Sequence, residues 1–258
     1  MNKNIQEAFE KTRKAGSIAS GALDEVCKII KPGVSTNEID KICFEYINDN
    51  GAYSAPLFYR GFPKSCCTSP NHTVCHGIPS EKILKEGDIL NVDVTAFNDG
   101  WHGDTSRMFF VGEVSVKAKK LVHTTYESLM KAIHILNSKI HLGDIGNVIQ
   151  QHVESNGFSV VRDFCGHGIG KTFHKQPNIL HYGDKGSGQK LQEGMIFTIE
   201  PMINAGKFET KVLNDGWTAV TKDKSLSAQF EHTVGITSDG YEIFTLSEKE
   251  FNFPPYKI

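Results

Sequence analysis

Two acidic residues, Asp93 and Asp104, lie within a stretch that otherwise has the composition of a β-hairpin. Residues 89–97 and 101–111 are rich in β-branched and apolar side chains, and Asn98-Asp99-Gly100 between them is a strong turn signal. Aspartate is depleted in strands. Two aspartates within one hairpin therefore require an explanation.

A two-residue loop of Asp99 and Gly100 predicts the register of this hairpin. Asp104 then faces Thr95 and Asp93 faces Ser106. Because side chains alternate between the two faces of a strand, both carboxylates lie on one face as diagonal neighbours, roughly 7–8 Å apart or somewhat closer. Carboxylates at this separation can hold one or two metal ions.

The two faces of the predicted hairpin differ in polarity. An apolar face of Leu90, Val92, Val94 and Ala96 is expected in the core, and the other face carries Asn91, Asp93, Thr95, His102, Asp104 and Ser106. An antiparallel hairpin with its polar face in water shows the same alternation. The hairpin alone does not distinguish that structure from a metal site.

The composition limits the classes of function. The chain has 258 residues, 39% of them hydrophobic, and this length fits one large domain or two small ones. Its net charge of -2 argues against a protein that binds nucleic acid or an anionic membrane. We find neither a signal-peptide core nor an apolar run long enough to span a membrane, and we expect a cytoplasmic protein. The six cysteines show no CxxC spacing, so we expect reduced thiols rather than a zinc ribbon.

Both helical and strand patterns occur along the chain. Residues 53–79 are expected to be irregular chain with short strands. Four helices are predicted: residues 5–30, residues 35 to about 48 with a capping box at Ser35–Glu38, residues 117–139, and residues 143 to about 156. Strands are predicted at residues 158–161 and 193–201 and within residues 210–236, including 227–234.

The two halves of the sequence repeat one plan. Residues 86–93 align with 193–200, which places Asp93 on Glu200. Residues 74–77 resemble 165–168, each with a histidine next to glycine. The repeat predicts two similar halves about a pseudo-twofold axis, with an acid and a histidine from each half converging there.

The candidate metal ligands are four carboxylates and one imidazole: Asp93, Asp104, His167, Glu200 and Glu231. This oxygen-rich set suits Mn²⁺, Fe²⁺, Co²⁺ or Zn²⁺ in a catalytic site. Four crowded negative charges repel one another, and two divalent ions would neutralise them. Two such ions can share a water, lower its pKa and polarise a carbonyl, which indicates hydrolysis.

Over nearly its whole length the chain resembles the methionine aminopeptidases of bacterial type I, in the short form without a zinc-binding N-terminal extension. The motifs that carry the resemblance are Cys75-His76-Gly77-Ile78-Pro79, Asn91-Val92-Asp93-Val94, His102-Gly103-Asp104-Thr105-Ser106, Gly166-His167-Gly168-Ile169-Gly170, Thr198-Ile199-Glu200-Pro201-Met202 and Ser227-Ala228-Gln229-Phe230-Glu231-His232-Thr233. The resemblance implies the α+β pita-bread (creatinase/aminopeptidase) fold. Residues 1–258 would form one catalytic domain, whose pseudo-symmetric α/β halves, approximately 1–115 and 116–258, enclose a dinuclear metal site.

The resemblance also implies a role for each residue of the site. Asp104 and Glu231 would bridge two ions, His167 and Glu200 would complete one of them, and Asp93 would chelate the other. Glu200 is also expected to be catalytic. Two further catalytic histidines are implied: His76 would hydrogen-bond the substrate near the scissile amide, and His174 would stabilise the developing oxyanion.

Specificity is implied at a second group of positions. Tyr59, Phe62, Cys67, Phe173 and Trp217 would form the pocket for a methionine side chain, and sulfur–aromatic contacts favour a thioether there. Asn71, Thr73 and Ser227 match a monovalent-cation loop. Pro56 and Arg60 depart from the family pattern, in which we expect cysteine and a small or imidazole side chain, so the shape of the pocket mouth stays open.

The implied activity is removal of the initiator methionine from nascent proteins whose second residue is small, by attack of a metal-activated water on the scissile carbonyl. The cofactors would be two ions of Co, Mn, Fe or Zn. The partners would be nascent N-termini, with no nucleic acid or membrane, and the protein would act as a monomer; ribosome association stays open.

Two other functions fit parts of the sequence. An X-Pro peptidase of the same fold would share all five ligands, although such enzymes usually carry a large additional N-terminal domain. A non-catalytic binding protein of this fold would typically lose ligands. His232 is expected to point away from the site, the role of His102 stays open, and no partner for His181 is evident from the sequence.

Overall fold

The computed structural model describes residues 2–256, in which it places four α-helices and fifteen β-strands. The helices are α1 (Lys3–Cys27), α2 (Thr36–Asp49), α3 (Val116–His134) and α4 (Leu142–Ser155). The strands are β1 (Tyr53–Ser54), β2 (Cys67–Pro70), β3 (Thr73–Cys75), β4 (Ile89–Asn98), β5 (Trp101–Phe110), β6 (Ser159–Val160), β7 (Gly166–Gly168), β8 (Lys175–Ile179), β9 (Ile196–Ile199), β10 (Met202–Asn204), β11 (Thr210–Val212), β12 (Ala219–Thr221), β13 (Ser227–Gln229), β14 (Glu231–Ile236) and β15 (Tyr241–Ile243).

One nine-stranded sheet organises the molecule. Its order is β1-β4-β5-β14-β9-β7-β8, with β2 also paired to β4 and β15 to β14. Two three-stranded sheets, β13-β10-β6 and β11-β12-β3, complete the strand pairing. The α+β class predicted from the sequence is confirmed.

The β4–β5 hairpin has the predicted register. Asn98 lies opposite Trp101, Thr95 opposite Asp104, and Asp93 opposite Ser106. Leu90, Val92, Val94 and Ala96 belong to the apolar cluster formed with α1 and α2, as expected. On the other face Asn91, Thr95 and Asp104 are also buried, so a hairpin with its polar face in water is excluded.

Two apolar clusters attach the helices to the sheet. The first joins α1 and α2 to β4, with Leu23, Ile39 and Ile47 fully buried. The second joins α3 and α4 to β9 and β14 and includes Phe197 and Val234. None of the helices described between residues 2 and 256 is both long enough and apolar enough to cross a membrane.

The predicted helix boundaries are partly wrong. The Ser35 capping box of α2 is present. However, α1 ends at Cys27 rather than at residue 30, because the N–H groups of the next two residues bond to carbonyls three positions back. Helix α3 ends at His134 rather than at residue 139. The Asn137 side chain donates to the Ile135 carbonyl and accepts from the Lys139 N–H, and these bonds compete with those that would continue the helix.

The strand predictions were right in position but too long. Residues 158–161 and 193–201 contain only Ser159–Val160 and Ile196–Ile199 as strands. The predicted strand over 227–234 is interrupted at Phe230, because β13 pairs with β10 in a small sheet whereas β14 enters the large one. The buried Phe230 ring packs in the α3–α4 cluster at this switch.

A buried ion pair fastens α1 to the hairpin. Arg107 on β5 donates to Asp24 Oδ1 at 2.5 Å and to the Ser20 hydroxyl and carbonyl, all on α1. The other oxygen of Asp24 accepts from the Ser247 hydroxyl at 2.9 Å. The Arg107 and Asp24 side chains are only 1% and 4% exposed, so each charge depends on the other.

This pair predicts a large loss of stability when one partner is removed. Asp24→Leu leaves the guanidinium of Arg107 buried without its counter-charge, and we expect the free energy of unfolding to fall by about 3–5 kcal/mol. The double variant Asp24→Leu/Arg107→Met removes both charges and should recover most of this loss. Urea denaturation of the three proteins measures both effects; equal stability of the single variant and the parent would contradict the prediction.

Candidate metal centre

Two carboxylates lie in one row across three neighbouring strands of the sheet. Ser106 on β5 lies opposite Asp93 on β4 and opposite Glu231 on β14. Residues directly opposite one another in a ladder point to the same face, and adjacent strands are about 4.7–4.9 Å apart. The small Ser106 side chain therefore leaves space between the two acids.

The five candidate ligands line one cavity, and we call them the donor cluster. Asp104, His167 and Glu231 each offer a ligand atom, and these atoms all lie within 4.8 Å of one another. Nε2 of His167 is 3.6 Å from Asp104 Oδ2 and 3.6 Å from Glu200 Oε1. Residues from four strands and the end of a fifth thus line the same cavity.

Neutral donors fix the orientation of the carboxylates. The Thr95 hydroxyl donates to Asp104 Oδ1 at 2.7 Å. The Thr198 hydroxyl donates to Glu200 Oε1 at 2.8 Å and accepts the N–H of His167 at 3.0 Å. Gln229 Nε2 lies 3.3 Å from the other Glu200 oxygen. None of these donors carries a charge that would neutralise the acids.

Burial and mutual repulsion dominate the electrostatics of the cluster. Burial, followed by the charge of Asp104, raises the pKa of Asp93 and of Glu231 well above the ordinary range. Burial raises the pKa of Glu200 to about 7, although His167 opposes this shift. Burial alone would lower the pKa of His167, but Asp104 and Glu200 raise it above its ordinary value.

The donor set fits divalent metal ions. The acids are held together in a desolvated site where their negative charge is unfavourable. Carboxylate oxygens with one imidazole are typical ligands of catalytic first-row metals. The same charge that destabilises the metal-free cluster would stabilise bound cations.

An aromatic pocket opens onto the donor cluster in the same cavity, whose volume is about 410 Å³. We use this name for Tyr59, Phe62, Cys67, Phe173 and Trp217, which line it together. The rings of Phe62 and Trp217 pack edge to face at 5.2 Å, and those of Tyr59 and Phe173 lie 4.9 Å apart. Burial, then the charge of Asp93, raises the pKa of the Cys67 thiol well above its usual range, so it remains an apolar wall.

His76 and His174 also line the cavity. Burial lowers the pKa of His76, and partial desolvation together with the neighbouring His167 lowers the pKa of His174 to about 4. Both rings are therefore neutral near pH 7. Nδ1 of His174 is 3.1 Å from the Tyr59 hydroxyl, which leaves Nε2 for another partner.

Three other histidines have structural contacts. His102 is hydrogen-bonded to the Gly170 carbonyl at 2.8 Å and stacks on Phe173 at 5.3 Å, so it supports the aromatic pocket. The buried His232 contacts the Thr245 hydroxyl at 2.8 Å and does not line the cavity. His181, for which the sequence indicated no partner, accepts the N–H of Glu200 at 3.1 Å.

The sequence reasoning missed part of the cavity wall. Asp163, Phe164, Cys165 and Met202 also line it. Thr95 lines it as well, on the face of β4 that the sequence predicted to be polar. Phe164 and Cys165 precede the glycine–histidine motif, but only the folded chain brings Asp163 and Met202 to the same opening.

The residues proposed for a monovalent cation lie close together but are partly engaged. Ser227 N–H bonds to the Asn71 carbonyl at 2.8 Å. The Asn71 side chain donates to Asp88 and accepts from the Ile89 N–H. Thr73 is buried, and the buried Ser227 hydroxyl has no hydrogen-bond partner among the described residues.

Comparisons with known proteins agree with this geometry. The model of metallopeptidase family M24 matches residues 10–238. The chain is 54% identical over 254 residues to a methionine aminopeptidase of Rickettsia prowazekii, covering 98% of both chains. It is 55% identical over 241 residues to methionine aminopeptidase A of Synechocystis, covering 93% of this chain and 95% of that one.

Solved structures give the same result for the fold. A crystal structure of methionine aminopeptidase from Rickettsia prowazekii matches with a TM-score of 0.92 and 55% identity, over 93% of this chain and 98% of that one. A prolidase from Pyrococcus furiosus matches with a TM-score of 0.76 and 22% identity, over 94% of this chain and 65% of the prolidase chain. This likeness concerns the fold alone. The pita-bread architecture expected from the sequence is confirmed.

The electrostatics of the donor cluster predict that one substitution, Glu231→Gln, raises the stability of the metal-free protein and lowers that of the metal-bound protein. Glu231→Gln removes a buried carboxylate, so the metal-free variant should be more stable than the metal-free parent. With Mn²⁺ the order should reverse, because the parent gains about 2.7 kcal/mol at a hundredfold excess over its Kd and the variant binds more weakly.

Thermal unfolding in EDTA and in a Mn²⁺ series, with calorimetric titration of Mn²⁺, measures both effects. Glu45→Gln, a change at an exposed glutamate on α2, serves as the matched control. Equal Mn²⁺ affinity of Glu231→Gln and the parent would rule out Glu231 as a ligand.

Proposed function

The chain belongs to metallopeptidase family M24, and on this basis we propose that it is a methionine aminopeptidase, which removes the initiator methionine from proteins whose second residue is small. The observation that carries the proposal is the single cavity in which the aromatic pocket adjoins the five side chains of the donor cluster. The relatives that match over nearly the whole chain bear the same name.

We assign the donor cluster two divalent ions of Co, Mn, Fe or Zn. Asp104 and Glu231 would bridge them, His167 and Glu200 would complete one, and Asp93 would hold the other. The short distances from His167 to Asp104 and Glu200 support the grouping. When bound, the ions supply an acidified water and polarise the scissile carbonyl.

The protein side chains provide the proton transfers and the orientation. Glu200 accepts a proton from the attacking water and returns it to the leaving amine; its oxygens are oriented by Thr198 and Gln229. With the Tyr59 hydroxyl donating to Nδ1, the neutral His174 carries its proton on Nε2 and donates it in a hydrogen bond to the oxyanion. His76 hydrogen-bonds the substrate next to the scissile amide.

The aromatic pocket selects the first residue of the substrate. The donor cluster could act on any peptide carbonyl brought to it, so the choice of side chain depends on the pocket. An unbranched thioether fits between the rings, and each buried methylene contributes about 0.8 kcal/mol. The edge-to-face Phe62–Trp217 pair and the ring of Phe173 supply favourable contacts for sulfur.

Two other functions are less well supported. An X-Pro peptidase would use the same donor cluster, but the likeness to a prolidase extends only to the fold. A non-catalytic member of the fold would not need the complete donor set, whereas all five residues line the cavity here. Release of methionine from a Met-Gly-Met peptide, compared with cleavage of a Gly-Pro bond, distinguishes the three functions.

We also propose that residues 1–258 act as one catalytic domain with pseudo-symmetric halves at about 1–115 and 116–258. The order β4-β5-β14-β9 supports this, because Asp93 and Asp104 on one side match Glu200 and Glu231 on the other. The unpartnered Ser227 hydroxyl supports a monovalent cation near Asn71 and Thr73. We propose a monomer that acts in the cytoplasm on nascent N-termini, at the ribosome or after release.

Replacing Glu200 by Gln tests the proton transfers. The amide preserves the shape but removes the charge and the basic oxygen, so we expect kcat to fall at least about 100-fold while the melting temperature changes by only a few degrees. Methionine release from Met-Gly-Met and thermal unfolding give the two readings, with Glu45→Gln as the control. Unfolding of Glu200→Gln at room temperature would indicate a structural role instead.

A series of Met-, Nle-, Leu- and Lys-Gly peptides tests the aromatic pocket. Norleucine should be accepted nearly as well as methionine, because a hydrophobic pocket discriminates by only about 1–3 kcal/mol per methylene. Lysine should fail, since its charge would be buried among rings. Equal kcat/KM for the Lys-Gly and Met-Gly peptides would rule out the pocket assignment.

Two variants extend this test. Phe173→Ala and Trp217→Ala should weaken methionine turnover and relax the preference, with metal content unchanged. Phe44→Ala, at a phenylalanine on α2 that is 41% exposed, is the matched control and should leave the preference intact.

A further inference from the structure

Arg60 brings a positive charge to the opening of the site cavity. Of all the side chains that line this cavity within residues 2–256, it alone is a lysine or arginine. The sequence already marked this position as a departure from the family pattern, and neither metal binding nor the aromatic pocket uses it. Its charge therefore requires a separate explanation.

The backbone at Arg60 is fixed, although its side chain is exposed. It lies in a 3-10 turn, Tyr59–Gly61, with φ 48° and ψ 29°. Hydrogen bonds from Gly61 N–H to the Phe58 carbonyl and from Phe62 N–H to the Tyr59 carbonyl close the turn, at 3.2 and 2.9 Å. A sparsely populated conformation held by its surroundings is typical of functional sites.

The guanidinium of Arg60 has no carboxylate partner within 4.0 Å in the part of the chain that the structure describes, and lies over the Tyr59 ring, 5.4 Å from its centroid. Asp163, an exposed acid that also lines the cavity, accepts a hydrogen bond from the Thr210 hydroxyl at 2.5 Å. The positive charge is thus available to a ligand in the cavity.

A peptide that binds with its first residue in the aromatic pocket runs outward, towards the Arg60 side chain. Phe62, two residues after Arg60, forms a wall of the aromatic pocket and is 2% exposed, so the first substrate residue lies at the inner side of the turn. An extended chain advances about 3.3–3.6 Å per residue, and the peptide must leave through the open side. Arg60, Asp163 and His174 are the exposed side chains among those that line the cavity, and so lie on its open side.

We propose that Arg60 is a specificity-determining residue that binds an acidic side chain at the third or fourth position of the substrate. A guanidinium matches a carboxylate with two parallel hydrogen bonds. The inference rests on the proposed aminopeptidase function and adds a preference that neither the donor cluster nor the aromatic pocket supplies. Because the pair is exposed, the gain in kcat/KM should be modest, about two- to fivefold.

The test compares amidated peptides Met-Gly-X-Ala in which X is Glu, Gln or Lys. The parent should turn over the Glu peptide with about two- to fivefold higher kcat/KM than the Lys peptide, mainly through KM. Arg60→Gln should bring the ratio close to one, and Arg60→Glu should invert it. The ratio should also shrink with added salt, as the Debye length falls from about 10 Å at 0.1 M to 3 Å at 1 M.

Lys64→Gln is the matched control, because it removes one positive charge four residues along the chain, from a side chain that does not line the cavity and contacts Asn37 instead. It should keep the parent's ratio. Equal turnover of the Glu and Lys peptides, or an unchanged ratio in Arg60→Gln, would overturn this inference alone. Failure to release methionine from the Gln peptide would overturn the proposed function as well.

Discussion

The desolvation of four carboxylates in one place is the constraint on which the structure depends. Burial and mutual repulsion raise the pKa of Asp93, Glu200 and Glu231, so the fold must hold together groups that favour separation. It does so with rigid antiparallel ladders rather than with loops. Asp104 and Thr233 exchange hydrogen bonds in both directions, at 3.0 and 2.7 Å, which fastens β5 to β14 beside the donor cluster.

The helices contribute to the site indirectly. They cover the apolar face of the sheet and so leave its polar face as the cavity wall. The Arg107–Asp24 pair joins α1 to β5 three residues beyond Asp104. The donor cluster and the aromatic pocket also differ in their supports. The donor cluster lies on strands or directly after one, whereas four of the five pocket side chains, all but Cys67, lie outside the strands. Specificity can therefore change without altering the donor cluster.

The hairpin was predictable because local signals determine it: a turn of Asp99 and Gly100 sets the register, and a register shift would reverse every side chain. The candidate ligand after β9, Glu200, followed from the repeat, and the candidate on β14, Glu231, followed from the family resemblance. Other features depend on tertiary contacts that no local pattern reports. His181 meets the Glu200 N–H, Asp163 reaches the cavity mouth, and the break at Phe230 arises because neighbouring residues enter different sheets. The early end of α3 reflects competition from one asparagine side chain.

The pairing of β5 with β14 also determines when the protein can begin to work. Asp104 and Thr233, which exchange hydrogen bonds, are 129 residues apart in the sequence. A ribosome adds residues from the N-terminus, and long-range strand pairs form late because their loops must first close. A growing chain therefore lacks Glu231, and with it a complete donor cluster, until its last strands emerge.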